Sequence, residues 1–190
     1  STRKAIEIKD DYAEAHFNLG IILKKLGKLQ DAELSYRRAI AIKNDYAEAH
    51  NNLGNILIKL CKSQEAEISM RKAIEIKPDF VEAHSNLGNI LKDIGKLKEA
   101  ELSYRKAIEY NPNLGETYFN LGIILKANSQ FDEALYNFKK AQEHNMDKKK
   151  CLVFIGKVLL DQGNFEKGIN NIREGEGSII FDLKNGFSKI

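Results

Sequence analysis

The sequence predicts an all-α fold, a solenoid of antiparallel helix pairs, and three observations carry that prediction. First, an eight-residue block returns every 34 residues. It reads Ala13-Glu-Ala-His-Phe-Asn-Leu-Gly20, Ala47-Glu-Ala-His-Asn-Asn-Leu-Gly54, Val81-Glu-Ala-His-Ser-Asn-Leu-Gly88 and, more loosely, Gly115-Glu-Thr-Tyr-Phe-Asn-Leu-Gly122. Second, another block keeps step with it: Ala32-Glu-Leu-Ser-Tyr-Arg-Arg-Ala-Ile40, Ala66-Glu-Ile-Ser-Met-Arg-Lys-Ala-Ile74 and Ala100-Glu-Leu-Ser-Tyr-Arg-Lys-Ala-Ile108. Third, Lys, Glu, Leu, Ile, Ala and Asn dominate a chain with only 2 Pro and no Trp, the palette of helices. A helix pair of this length cannot cover its own apolar face, so neighbouring pairs must stack.

In chain order, residues 1–12 read as the second helix of a truncated repeat, and 13–46, 47–80, 81–114 and 115–148 as four full repeats. Residues 149–176 form a degenerate fifth, marked by Leu152, Ile155, Gly156 and Leu159. Within each repeat, Gly27, Gly95 and Gly163 stand where a left-handed helix cap is expected, and Cys61 and Ser129 replace that glycine at a cost in comfort. Pro78 and Pro112 stop the second helices of their repeats. A glycine inside a helix costs about 1 kcal/mol relative to Ala, yet Gly20, Gly54, Gly88, Gly122 and Gly156 recur at one phase. That pattern predicts close helix approach, with Ala32, Ala66, Ala100 and Ala134 as the opposite wall. The stretch 177–190 carries Ile179, Ile180, Phe181, Leu183 and Phe187 and reads as a C-terminal cap or the start of a further segment.

The period and its signature positions (Leu19-Gly20, Ala32, Tyr36 and Ala39, with their counterparts through Leu121-Gly122, Ala134, Phe138 and Ala141) resemble the tetratricopeptide repeat family over roughly residues 1–175. Departures are His16, His50 and His84 in place of Trp, Met70 in place of an aromatic, and Gly168 and Gly175 in place of alanines. The resemblance implies a right-handed superhelical solenoid whose first helices line a concave groove, the usual surface for a peptide or partner protein. At 100° per residue, His16, Leu19, Gly20 and Leu23 fall on the buried face of the first helix, and Phe17, Asn18 and Ile21 on the opposite one.

That reasoning names the candidate groove. Its most regular feature is the row Asn18, Asn52, Asn86 and Asn120. A side-chain amide both donates and accepts, so it can pair with a guest backbone of any sequence. The row resembles the asparagine ladder in the tetratricopeptide region of O-linked N-acetylglucosamine transferases. Inherited repeat consensus explains it equally well. Asn51, Asn55 and Asn89 add amides to the middle, Lys92 and Lys126 add charge, and Phe17 with Ile21 and Phe119 with Ile123 form apolar flanks. An extended peptide, apolar near both ends, would suit this lining.

Other classes are weakly supported. No nucleophile–base arrangement, phosphate-cradling glycine loop or paired acid emerges, so the expectation is a non-catalytic scaffold without cofactor or metal. The alternatives are the substrate-recruiting region of a larger modifying enzyme, such as a glycosyltransferase, and a self-assembly module that associates end to end. A net charge of +3, with Lys and Arg interleaved among Glu and Asp, does not point to nucleic acid. No apolar run approaches the ~18 residues of a membrane span. Cys61 and Cys151 suggest no disulfide framework. The reading is cytoplasmic, with the natural N-terminus absent.

Overall fold

The computed structural model describes the backbone of residues 2–176, 179–182 and 186–189, and the side chains of 12–176. Ten helices follow one another among the described residues: α1 (Thr2–Lys25), α2 (Leu29–Ile42), α3 (Ala47–Lys59), α4 (Ser63–Ile76), α5 (Val81–Asp93), α6 (Leu97–Tyr110), α7 (Gly115–Ala127), α8 (Phe131–Glu143), α9 (Lys148–Asp161) and α10 (Phe165–Glu176). An antiparallel hairpin follows, β1 (Ile179–Asp182) with β2 (Gly186–Lys189), in the register Ile179 opposite Lys189. Whether this stretch caps the array turns on side chains outside the described residues. No described helix is long and apolar enough to cross a membrane.

The chain divides into two compact units, 1–106 and 107–190. In the first, α1 packs on α2 and α3 on α4, α2 and α4 then pack on α3 and α5, and α3 touches α5. In the second, α7 pairs with α8 and α9 with α10, and α8 packs on α9.

Each turn inside a repeat is closed by the same two bonds. In the first, Gly27 N–H donates to Lys24 C=O at 3.1 Å and Lys28 N–H to Leu23 C=O at 3.0 Å. This Schellman closure needs a left-handed residue at its centre. Gly27, Gly95 and Gly163 supply φ of 74°, 81° and 79°, and Cys61 and Ser129 are forced to 59°. The strain expected at those two turns is therefore present.

Three expectations need correction. Residues 2–25 form one uninterrupted helix, so no turn separates a truncated second helix from the first repeat. Pro78 and Pro112 stand at two of the corresponding turns downstream, and Lys9-Asp10-Asp11 has no such stop. The nearest wall facing the in-helix glycines of the first, third and fourth repeats is aromatic, not alanine: a Cβ on Gly88 would stand 2.4 Å from Tyr104 Cε1, and one on Gly20 2.6 Å from Tyr36 Cε1. Gly20, Gly88 and Gly122 are thus flat seats for the ring four residues beyond the small alanine, and Gly54 seats Met70 at the same position. Finally, Leu19 is exposed while its counterparts Leu53 and Leu87 are buried, where α2 packs on α3 and α4 on α5. The fifth repeat solves the same problem differently. There Ile172 replaces the aromatic, and Gly156 and Gly168 bring backbone to backbone: a Cβ on Gly156 would lie 2.6 Å from Gly168 O.

Candidate functional site

The expected groove residues separate into three groups. Asn18 is exposed, and Asn52, Asn86 and Asn120 are half-buried on their first helices. In unit 1 the Asn86 amide donates to Asn51 Oδ1 at 3.1 Å, so α3 and α5 are joined where their amides meet. Asn51 is buried by that contact. Asn89 Oδ1 accepts from Tyr104 O–H at 2.7 Å and so serves the packing between α5 and α6. Asn55 and Ile21 are half-buried, and Lys92 lies 3.8 Å from its neighbour Asp93.

The aromatic flanks are not open walls. Phe17 is half-buried, its ring 4.9 Å from Tyr46 and 5.8 Å from Tyr36 between centroids. Phe119 is 2% exposed. Its ring packs edge-on to Phe154 at 4.9 Å and Phe138 at 5.4 Å, and Lys150 Nζ sits 4.6 Å from its centroid. Helical phase alone placed this position opposite the buried face. The next first helix then covers it, as Asn51 against Asn86 and Phe119 against Phe154 both show. Also in unit 2, Ile123 is half-buried and Lys126 is paired with Asp161 at 2.5 Å.

The histidines behave as packing groups. His50 Nε2 lies 3.1 Å from Asn44 O and His84 Nε2 lies 2.7 Å from Pro78 O, so each ring fastens the turn before its helix. Burial lowers the His50 pKa, and the Asn44 bond only partly offsets it. Burial also pushes the Cys151 thiol up to about 11, which suppresses thiolate at neutral pH. Cys61 is exposed at its strained turn.

Two features escaped the sequence reading. One is a match between the first-helix residue at positions 21, 55, 89 and 123 and the facing residue at 36, 70, 104 and 138. Tyr104 meets Asn89, whereas Tyr36 has Ile21 at the matching position and its buried hydroxyl has no hydrogen-bond partner among the described residues. Burial pushes that phenol up to about 12. The other is an exposed apolar row on the second helices, Leu34, Ile68, Leu102 and Tyr136. Its 34-residue recurrence among charged neighbours was a legible signal.

Compared by sequence with curated proteins, the chain matches none at a significant level. Solved structures align along most of it. YrrB, described as a TPR protein with an unusual peptide-binding site, shares 24% identity over 92% of this chain and 90% of its own, with a TM-score of 0.78. MamA from Desulfovibrio magneticus RS-1 shares 17% over 87% and 93%, with a TM-score of 0.80. Pseudomonas aeruginosa pilF shares 19% over 90% and 79%, with a TM-score of 0.74. At these identities the likeness is one of fold. Tetratricopeptide repeat models match residues 2–33 and 103–136, 47–80 and 81–114, and a TPR repeat model matches 22–60. Period, glycine seats, turn closures and family matches agree, and the chain belongs to the tetratricopeptide repeat family.

Proposed function

We propose that this chain is a non-catalytic interaction scaffold that takes an extended segment of a partner protein on its first-helix face. The amide row carries the reading. Asn18, Asn52 and Asn86 recur at one phase on α1, α3 and α5. The side chains of Asn18 and Asn52 make no hydrogen bond to another described residue, and Asn86 is oriented by Asn51. Asn is a mediocre helix former, up to about 0.7 kcal/mol worse than Ala, so retaining it on a solvent-facing helix suits a use outside the fold. Amides in register offer paired donors and acceptors to a peptide backbone. The peptide-binding site attributed to the structurally similar YrrB makes the same class of ligand reasonable here. Phe17 and Ile21, both half-buried, lie beside the row and offer a shallow apolar contact.

The test compares affinity capture by the wild-type chain with capture by a variant carrying Asn18→Ala, Asn52→Ala, Asn86→Ala and Asn120→Ala. Circular dichroism first establishes that both are equally helical. Proteins held by the wild type and lost by the variant are the expected result. Identical capture by both would reduce the row to repeat consensus.

A further inference from the structure

The second helices carry a surface that the amide row does not use. In unit 1, Ile68 and Leu102 are 68% and 65% exposed, an unusual fate for large apolar side chains on a helix rich in Glu and Arg. They form the lips of two cavities, of about 360 and 370 Å³, that are the same site one repeat apart. Ile40 and Leu53 floor the first, and Ile74 and Leu87 floor the second. His50 and His84 form corresponding walls, each held on a backbone carbonyl and therefore fixed in place. Two cations rim each socket: Arg37 and Lys72, then Arg71 and Lys106. Unit 2 has a cavity of its own, of about 380 Å³, over Leu152 and Ile155 and rimmed by Lys139 and Lys167, without the histidine wall or the exposed apolar lip. No carboxylate lines that third socket or the first; Glu75 alone lines the second.

We propose that these sockets are a second interaction surface, for a partner segment whose apolar side chains are flanked by carboxylates. The apolar floor favours an aliphatic or aromatic anchor, and docking also removes Ile68 and Leu102 from water. The rim decides the sign. Arg37 and Arg71 are already fixed by Glu65 and Glu99 at 2.5 and 2.6 Å, which holds the guanidinium groups in place. In the first socket Lys72 is the exchangeable charge. Lys72 pairs with Glu75 at 2.7 Å across an exposed surface, a contact of small net worth that an incoming carboxylate can replace. Charge complementarity of this kind selects partners more than it adds affinity. It also disfavours one other occupant: the chain's own segment 177–190 holds Lys184 and Lys189 against Asp182.

The experiment pans a displayed library of random peptides against the immobilised full chain and measures selected peptides by fluorescence anisotropy. Three variants are compared with the wild type: Ile68→Asp with Leu102→Asp, Lys72→Glu with Lys106→Glu, and Asn18→Ala with Asn52→Ala and Asn86→Ala. Ile68 and Leu102 are mostly in solvent, so their replacement leaves the helical signal intact. The expected result is a class of peptides rich in Asp or Glu beside Leu, Ile or Phe. Their affinity falls about tenfold or more in the first two variants and is unchanged in the third. The proposal is overturned if no selected peptide depends on Ile68 and Leu102, or if those that do lack carboxylates. A concentration-dependent dimer that Ile68→Asp with Leu102→Asp dissolves would assign the face to a second copy, and overturn it equally.

Discussion

Tyr36 and Tyr104 occupy the same position two repeats apart, and their hydroxyls meet different fates. Both rings lie flat on a glycine, Gly20 or Gly88, and both are fully buried. Asn89 receives the Tyr104 hydroxyl at 2.7 Å, but in the first repeat the matching residue is Ile21 and Tyr36 O–H is left without a partner among the described residues. An unsatisfied buried hydroxyl costs roughly 1–3 kcal/mol of desolvation, whereas a satisfied one contributes about 1 kcal/mol. Tyr36→Phe is therefore expected to stabilise the protein by about 1 kcal/mol and Tyr104→Phe to destabilise it by about the same amount. Urea midpoints moving in opposite directions would bear this out; two equal losses would mean that a group outside the described residues satisfies Tyr36. The fourth repeat avoids the problem, with Phe138 facing Ile123.

Between elements, unit 1 is clamped by carboxylates that reach from one repeat to the next. Glu33 on α2 accepts from Lys62, at the start of α4, at 2.9 and 3.1 Å and from Arg37 at 3.0 Å. Glu67 on α4 accepts from Lys96, just before α6, at 2.9 and 3.0 Å and from Arg71 at 2.9 Å. Burial alone would raise both carboxyl pKa values, but hydrogen bonds from Lys62 and Arg37, and from Lys96 and Arg71, outweigh it and hold them below the usual range. A carboxyl depressed in the folded state contributes stability above its unfolded pKa and loses that contribution as pH falls through the folded value. The lysines are nearly half exposed, so solvent screens each clamp to about 1 kcal/mol or less. Glu33→Gln with Glu67→Gln is expected to lower stability at pH 7 and to flatten its decline as pH falls below the usual carboxylate range. Urea titrations across that range check it, and an unchanged slope in the double variant would discard the clamps as the acid-labile element.

For the whole molecule, a stack of repeats has no single core, and each interface stabilises only its immediate neighbours. Unit 1 shows the consequence within its own bounds. Leu19 on α1 is 43% exposed, while Leu53 at the same phase on α3 is 4% exposed beneath α2. Helices covered on one side open more readily than helices covered on two. Hydrogen exchange followed by mass spectrometry is expected to label α1 well before α3. Equal protection of the two would mean that the α1 face is covered in solution.

Much of the fold was legible because its causes are local and repeated. The 34-residue period, the left-handed residues at the turns, including Cys61 and Ser129, and the stops at Pro78 and Pro112 follow from backbone preference and spacing. The amide row was legible too, since phase around a helix axis can be counted. Burial was not, because phase says which way a residue points and not what arrives to meet it. Asn51 meets Asn86 of the next first helix, and Phe119 is closed in by Phe138 of its own second helix and Phe154 of the next first helix; Asn89 is taken up by Tyr104. The glycines announced a close approach, yet only the packed structure put an aromatic ring on each of the first, third and fourth. The cation-rimmed sockets on the second helices belong to the same class: no single helix contains one, because each needs side chains from three. By itself the sequence determined the repeat, its turns and its family, all set by short-range physics. The tertiary structure decided which of those repeated side chains are core and which remain for a partner, because burial is a property of neighbours.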